Sequence, residues 1–216
     1  MRDKNCVQLT TEFLKKKFDE SEYFTDKKSE KDYRFEHSVR VANIGKEIAE
    51  KEGMDSDAMV IACLLHDISY INEFKTREEA RNHGRYSAKI ARPFLEKIGM
   101  EPEVIEDICY GIAIHVDDKA DFPGERTVFT HTVGDADNID RFDASRIFEN
   151  LKWVKYDEMS LAEKREHCEK VIGRLESYKT LDFATETSKK MWIEKLDYQI
   201  EFYKKLLLQV KNSELR

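Results

Sequence analysis

The run AMVIACLLHDISYI, Ala58 to Ile71, is apolar until it reaches the pair His66-Asp67. An ionised carboxylate and a bare imidazole are costly at the edge of a core unless something pairs with them. Either a helix simply surfaces there, or a bound cation compensates the pair. Two more histidines lie on inward stripes of expected helices. His37 shares a stripe with Val41, Ile44 and Ile48, and His115 shares one with Val104, Ile108 and Ile112. His83 opens a segment whose inward face starts four residues later, at Ser87. Downstream, GDADNIDRFD, Gly134 to Asp143, sets a cluster of carboxylates in an apolar helical frame of Val133, Ala136 and Ile139.

Imidazole with carboxylate, and no thiolate, suits a borderline divalent ion such as Mn, Fe, Co, Ni or Zn. It suits calcium less, because calcium takes oxygen ligands only. Adjacent residues on a regular helix do not face each other. His66 and Asp67 can therefore share an ion only near a helix end, with the ion between their two directions. Each residue also has a plainer reading: a core histidine bonded to a carbonyl, or Asp137 as the i,i+4 partner of Arg141. His131 and His167 read as surface or packing residues.

The elements that must position these groups are helical almost throughout, with no alternating strand and no internal repeat. A first helix is expected at 8–19, followed by a polar loop, SEYFTDKKSEKDYRF. A second is expected from about Glu36 to Lys51, stopped by Gly53. A third, capped by Asp55 or Ser56, runs down to His66. Residues 72–82 read as loop, His83 to Lys97 as a helix containing Pro93, and Pro102 as the first turn of another. DDKADFPGER is the strongest loop signal, and one helix is expected from about Thr127 to Asn150. Two long amphipathic helices follow at about 160–212, the first opened by the capping box Ser160-x-x-Glu163. The expected architecture is one all-α domain over 1–216, a helical bundle with these last two helices packed on it.

A net charge of −7 argues against a general nucleic-acid binder, and no basic run interleaved with aromatics offers an oligonucleotide track. Four scattered cysteines, without a C-x-x-C pair, point to reduced thiols. No apolar signal core and no run of about 18 apolar residues is seen, so a cytoplasmic protein without a membrane partner is expected.

The segments FEHSVRVANIGKEIA, AMVIACLLHDI, HGRYSAKIARPFL, AIHVDD and VGDADNID occur in that order over roughly residues 34–143. Together they resemble the HD-domain superfamily of metal-dependent phosphohydrolases, whose signature is H…HD…D. The resemblance implies an HD-type bundle and metal ligands at His37, His66, Asp67 and an aspartate of the last segment. That family places its metal aspartate after a small residue, as in Ala136-Asp137-Asn138-Ile139, which favours Asp137 over Asp135. His83 and His115 match positions that bind a second metal in some branches, although Val116 stands where those branches carry His or Thr. One divalent transition metal is expected, with a second possible near His83 and His115.

The implied chemistry is attack of a metal-activated water on a phosphoester or phosphoanhydride of a small, nucleotide-like molecule. Asp67 is expected to take the water's proton, with His83 or His115 as general acid. Arg40, three residues after His37, is expected to reach a substrate phosphate, with a solvated flank charge as its plainer reading. Arg34, Arg81 and Arg85 are similar candidates. Two other classes stay open: a di-iron oxygenase on the same scaffold, and a non-catalytic metal- or nucleotide-binding regulatory module. The oligomeric expectation is a monomer or a homodimer.

Overall fold

Residues 6–213 of the chain are described by a computed structural model, and they form ten α-helices with no strand among them. The all-α expectation therefore holds. The helices are α1 (Cys6–Asp19), α2 (Lys28–Glu52), α3 (Ser56–Leu65), α4 (Arg77–Arg81) and α5 (His83–Lys97). They continue as α6 (Pro102–Ile114), α7 (Val128–Arg141), α8 (Ala144–Trp153), α9 (Leu161–Tyr178) and α10 (Glu186–Asn212).

Three boundaries differ from the sequence expectation, each for a local reason. Helix α2 begins at Lys28 rather than near Glu36. Its first turns are polar and carry no apolar stripe; they are held instead by ion pairs, Lys28 with Asp32 at 2.5 Å and Lys31 with Asp19 at 2.8 Å. The expected loop 72–82 contains the short α4, started by a capping box in which Thr76 and Glu79 satisfy each other's backbone N–H. The helix expected over 127–150 is two helices. Asp143 adopts an extended backbone and its carboxylate accepts the Ala144 N–H at 2.6 Å, which starts α8 afresh.

The described chain groups into two compact units. The first runs to Asp140 and includes Phe183–Ser188. In it α3, the most apolar helix, packs against α1, α2 and α6, while α5 packs against α6. Val41, Ile61, Leu65, Ile108, Ile112 and Val133 are fully buried in its core. Gly45 lets α2 close on α3, since a Cβ there would lie 2.6 Å from Cys63 Sγ. The second unit comprises Arg141–Asp182 and the chain from Lys189 onward. Trp192 is buried within it, donates Nε1–H to the Tyr178 carbonyl at 2.9 Å and packs edge-on against Phe142. No helix among the described residues is long and apolar enough to cross a membrane, and all four cysteines are free thiols.

Candidate metal centre

The first unit gathers His37, His66, Asp67, His83, His115 and Asp137 into one cluster, from the ends or inner faces of α2, α3, α5, α6 and α7. The backbone explains how neighbours His66 and Asp67 face the same point. Helix α3 ends at Leu65, His66 is its C-cap, and Asp67 has left the helix at φ −107°, ψ 11°. His66 Nε2 and Asp67 Oδ1 are then 3.7 Å apart.

Helix ends leave backbone carbonyls without intrahelical partners, and three of the histidines use one each. His66 Nδ1 bonds the Cys63 carbonyl at 2.7 Å, His83 Nδ1 that of Ala80 at 2.6 Å, and His115 Nδ1 that of Ile112 at 2.7 Å. His37 Nδ1 instead meets the Asp140 carboxylate at 2.7 Å. Carbonyl and carboxylate oxygens only accept, so all four Nδ1 atoms carry the proton, and each neutral ring presents a bare lone pair at Nε2.

Those lone pairs converge. His37 and His66 Nε2 are 3.3 Å apart, and His83 and His115 Nε2 are 3.0 Å apart. Asp137 Oδ1 lies 3.1 Å from His37 Nε2 and 3.7 Å from His66 Nε2, while Asp67 Oδ1 lies 3.1 Å from His83 Nε2. Acceptors aimed at acceptors in a buried site are tolerable only around a positive charge. Three overlapping groups bring their ligand atoms within 4.8 Å of one another: His37, His66 and Asp67; His66, His115 and Asp137; Asp67, His83 and His115. The donor set fits a borderline divalent ion. Without an ion the cluster recruits protons. Burial opposes a charge on His37, but its hydrogen bonds to Asp137 and Asp140 push it up to about 9. Against its own burial, Asp67 is held well below the usual carboxylate range by His66, His115 and His83.

Close approach of the helices is built into the sequence. A Cβ on Gly84 would sit 2.7 Å from the Ile112 carbonyl oxygen and 2.9 Å from that of Ala113, so only glycine lets α5 bring His83 onto His115.

The HD domain family model matches residues 34–145. The chain belongs to the HD domain family. A crystal structure of a predicted HD superfamily hydrolase from an uncultured Thermotogales bacterium is similar to it, with a TM-score of 0.63 and 20% identity over 95% of this chain and 92% of that one. No curated protein matches the sequence. His37, His66, Asp67 and Asp137, the residues that the resemblance assigns to the HD signature, meet in the cluster with His83 and His115. Asp135 points away: its carboxylate accepts the Ala184 N–H at 2.8 Å, and burial pushes it up to about 6.

The two guanidiniums of α2 have distinct partners. Arg40 is bound to Asp140 through Nε at 2.7 Å and Nη2 at 3.1 Å, one residue removed from the ligand atoms. Arg34 is the one that reaches the cluster, with Nη1 3.1 Å from Asp67 Oδ2. Sequence reasoning did not single out Asp140. A signal existed: Asp137 and Asp140 repeat on α7 the i,i+3 spacing that His37 and Arg40 have on α2, so the two pairs match across the helices.

Proposed function

We propose that this HD-family protein is a metal-dependent phosphohydrolase acting on a small phosphorylated molecule of nucleotide-like kind. The observation that carries the reading is the convergence of four imidazole Nε2 atoms and two carboxylates in one buried site. His37, His66, Asp67 and Asp137 would hold one divalent ion, and the Nδ1 bonds of His66 to the Cys63 carbonyl and of His37 to the Asp140 carboxylate fix the two rings before it arrives. When bound, such an ion acidifies a water and polarises a phosphoryl oxygen.

The chain's own groups handle the protons. In hydrolysis the water oxygen joins phosphorus, the bond to the leaving oxygen breaks, and the proton lost by water is needed on that leaving oxygen. Asp67 Oδ1 and His83 Nε2, 3.1 Å apart, form a path for it: Asp67 accepts, and His83 delivers from Nε2. His83 suits delivery because its side chain is the most exposed of the four histidines, at 13%. His115, 1% exposed, backs His83 from the inside and would act in its place only if His83 were withdrawn by a second ion. Arg40 holds Asp140 against His37 and would govern metal affinity before it governs substrate.

The test is elemental analysis of the purified, unchelated protein beside His66→Ala and Asp137→Ala, followed by phosphate release from a substrate panel with the identified metal added. About one transition metal per chain, lost in both variants together with phosphate release, is the expected result. Metal-free protein whose two variants behave like wild type would end the reading. The Asp67, His83, His115 grouping supports a second reading, a di-iron oxygenase, which two irons per chain and substrate-dependent oxygen uptake would establish.

A further inference from the structure

The second unit carries the two most exposed large apolar side chains among the described residues, and both belong to α8. Trp153 is 87% exposed and Phe148 is 69% exposed. Tryptophan is on average a highly buried residue, so a ring left this open needs a reason. Local structure gives part of it. Ile147 is the buried residue of α8, and Asn150 accepts the Tyr203 hydroxyl at 3.1 Å, which turns that side of the helix inward. Helix α8 ends at Trp153, and Lys155 then takes a left-handed backbone at φ 52°, ψ 51°. The turn sends Tyr156 back onto His167, with ring centres 5.9 Å apart, and leaves Trp153 outside.

The outward face of α8 is Phe148, Glu149, Lys152 and Trp153. Successive helical residues turn by about 100°, so Lys152 and Glu149 lie in the middle of this face and the two rings at its edges. Lys152 has no ion pair among the described residues. Glu149 meets Arg146 of its own helix at 3.5 Å, an exposed contact of the weak kind. A lipid surface suits this face poorly, because it would bury both central charges without partners. A second copy of the chain supplies what the face lacks. Laid antiparallel about a two-fold axis opposite the Asn150–Leu151 step, two α8 helices bring each Glu149 level with the partner's Lys152. The same register brings each Phe148 level with the partner's Trp153. A parallel pairing would instead set like charge against like charge.

We propose that the outward face of α8 is a self-recognition surface on which two copies of this chain pair antiparallel. Reciprocal Glu149–Lys152 ion pairs hold its centre, and Phe148 and Trp153 cover its flanks. The four rings alone would bury on the order of 700 Å². That is below the roughly 1,200 Å² at which stable interfaces begin, so the pair is a weak one that forms and parts with concentration. This surface is independent of the chemistry at the metal centre and is tested by association alone.

Sedimentation equilibrium of the full-length protein over roughly 1 to 500 μM should show the average mass rising from that of one chain toward that of two, and no further. Trp153→Ala should remove the rise. Glu149→Lys and Lys152→Glu each put like charges level across the axis and should each weaken association roughly tenfold. The double reversal Glu149→Lys/Lys152→Glu should restore it, a rescue that a merely structural role of either residue would not give. Circular dichroism should show every variant as helical as wild type, since the replaced side chains face outward; if Trp153→Ala fails to fold, the charge series decides. Four results overturn the pairing: a wild type that stays one chain throughout, a mass that climbs past two, association unchanged by Trp153→Ala, or charge variants that the double reversal does not rescue. Binding of a strictly single-chain wild type to phosphatidylcholine vesicles, lost in Trp153→Ala, would assign the face to a lipid surface instead.

Discussion

At the scale of single residues, Asp140 and Asp135 show how one short helix carries two different kinds of buried carboxylate. Asp140 is held below the usual carboxylate range, against its burial, by His37 and Arg40. It therefore stays an acceptor that keeps the His37 proton on Nδ1. Asp140→Asn should weaken metal binding about 10- to 100-fold, the usual cost of losing such an orienting partner. Chelator competition measures it, and an unchanged affinity would show that His37 needs no orienting acceptor. Asp135 is raised to about 6 by burial, with the Ala184 N–H, Ser188 and His131 opposing. Its folded value lies above the ordinary carboxylate value of 3.8, so the folded state binds the proton more tightly. Stability from this group is therefore present at low pH and is lost as pH rises from about 4 through 6. Above that window the ionised form costs about 3 kcal/mol at 1.36 kcal/mol per unit. In the metal-free protein, Asp135→Asn should be the more stable form at pH 7 and level with wild type near pH 4. Denaturant unfolding at the two pH values checks it; an advantage independent of pH would rule out the ionisation account.

At the scale of elements, the helices that carry the site were legible because their inward faces are apolar at helical spacing and their ends carry caps. His37, His66 and His115 could be placed from that pattern alone. What was not legible came from interactions the pattern does not encode. The polar start of α2 leaves Arg34, the guanidinium that reaches Asp67, unranked among the candidate arginines, because ion pairs rather than an apolar stripe hold those turns. For the same reason Arg40 reads as free on the sequence, while its actual partner Asp140 is 100 residues away. The close contact of α5 with α6 is encoded by an absence, the missing side chain of Gly84, which only the packing reveals. Gly84→Ala places a methyl 2.7 Å from a backbone carbonyl oxygen that cannot rotate aside. The two helices must separate, at a cost typical of overpacking, about 1–3 kcal/mol, and His83 must draw back from His115. Lower thermal stability together with weakened phosphate release is expected. Unaltered release would mean that the spacing of these two rings does not matter to the reaction.

At the scale of the whole molecule, the cluster is a folding liability that an ion turns into a support. Four imidazole Nε2 atoms and two carboxylates converge in the first unit, and in the absence of metal protonation of His37 and the Arg34 contact to Asp67 offset them. An ion that binds the folded state alone adds RT ln(1 + [L]/Kd), about 2.7 kcal/mol at a hundredfold excess over Kd. Removing metal by chelation should therefore lower the calorimetric unfolding midpoint, and adding back the native ion should restore it. The two tryptophans, Trp153 and Trp192, both lie in the second unit, so their fluorescence follows that unit and leaves the site-bearing one to calorimetry. His66→Ala assigns the effect, since it deletes a central imidazole of the cluster while leaving the Arg34 contact to Asp67 in place. In that variant the metal-dependent shift should vanish and the midpoint should no longer respond to chelator. A shift that survived His66→Ala would place the stabilising ion elsewhere on the chain, and the cluster would then be a set of buried histidines relieved by protons alone.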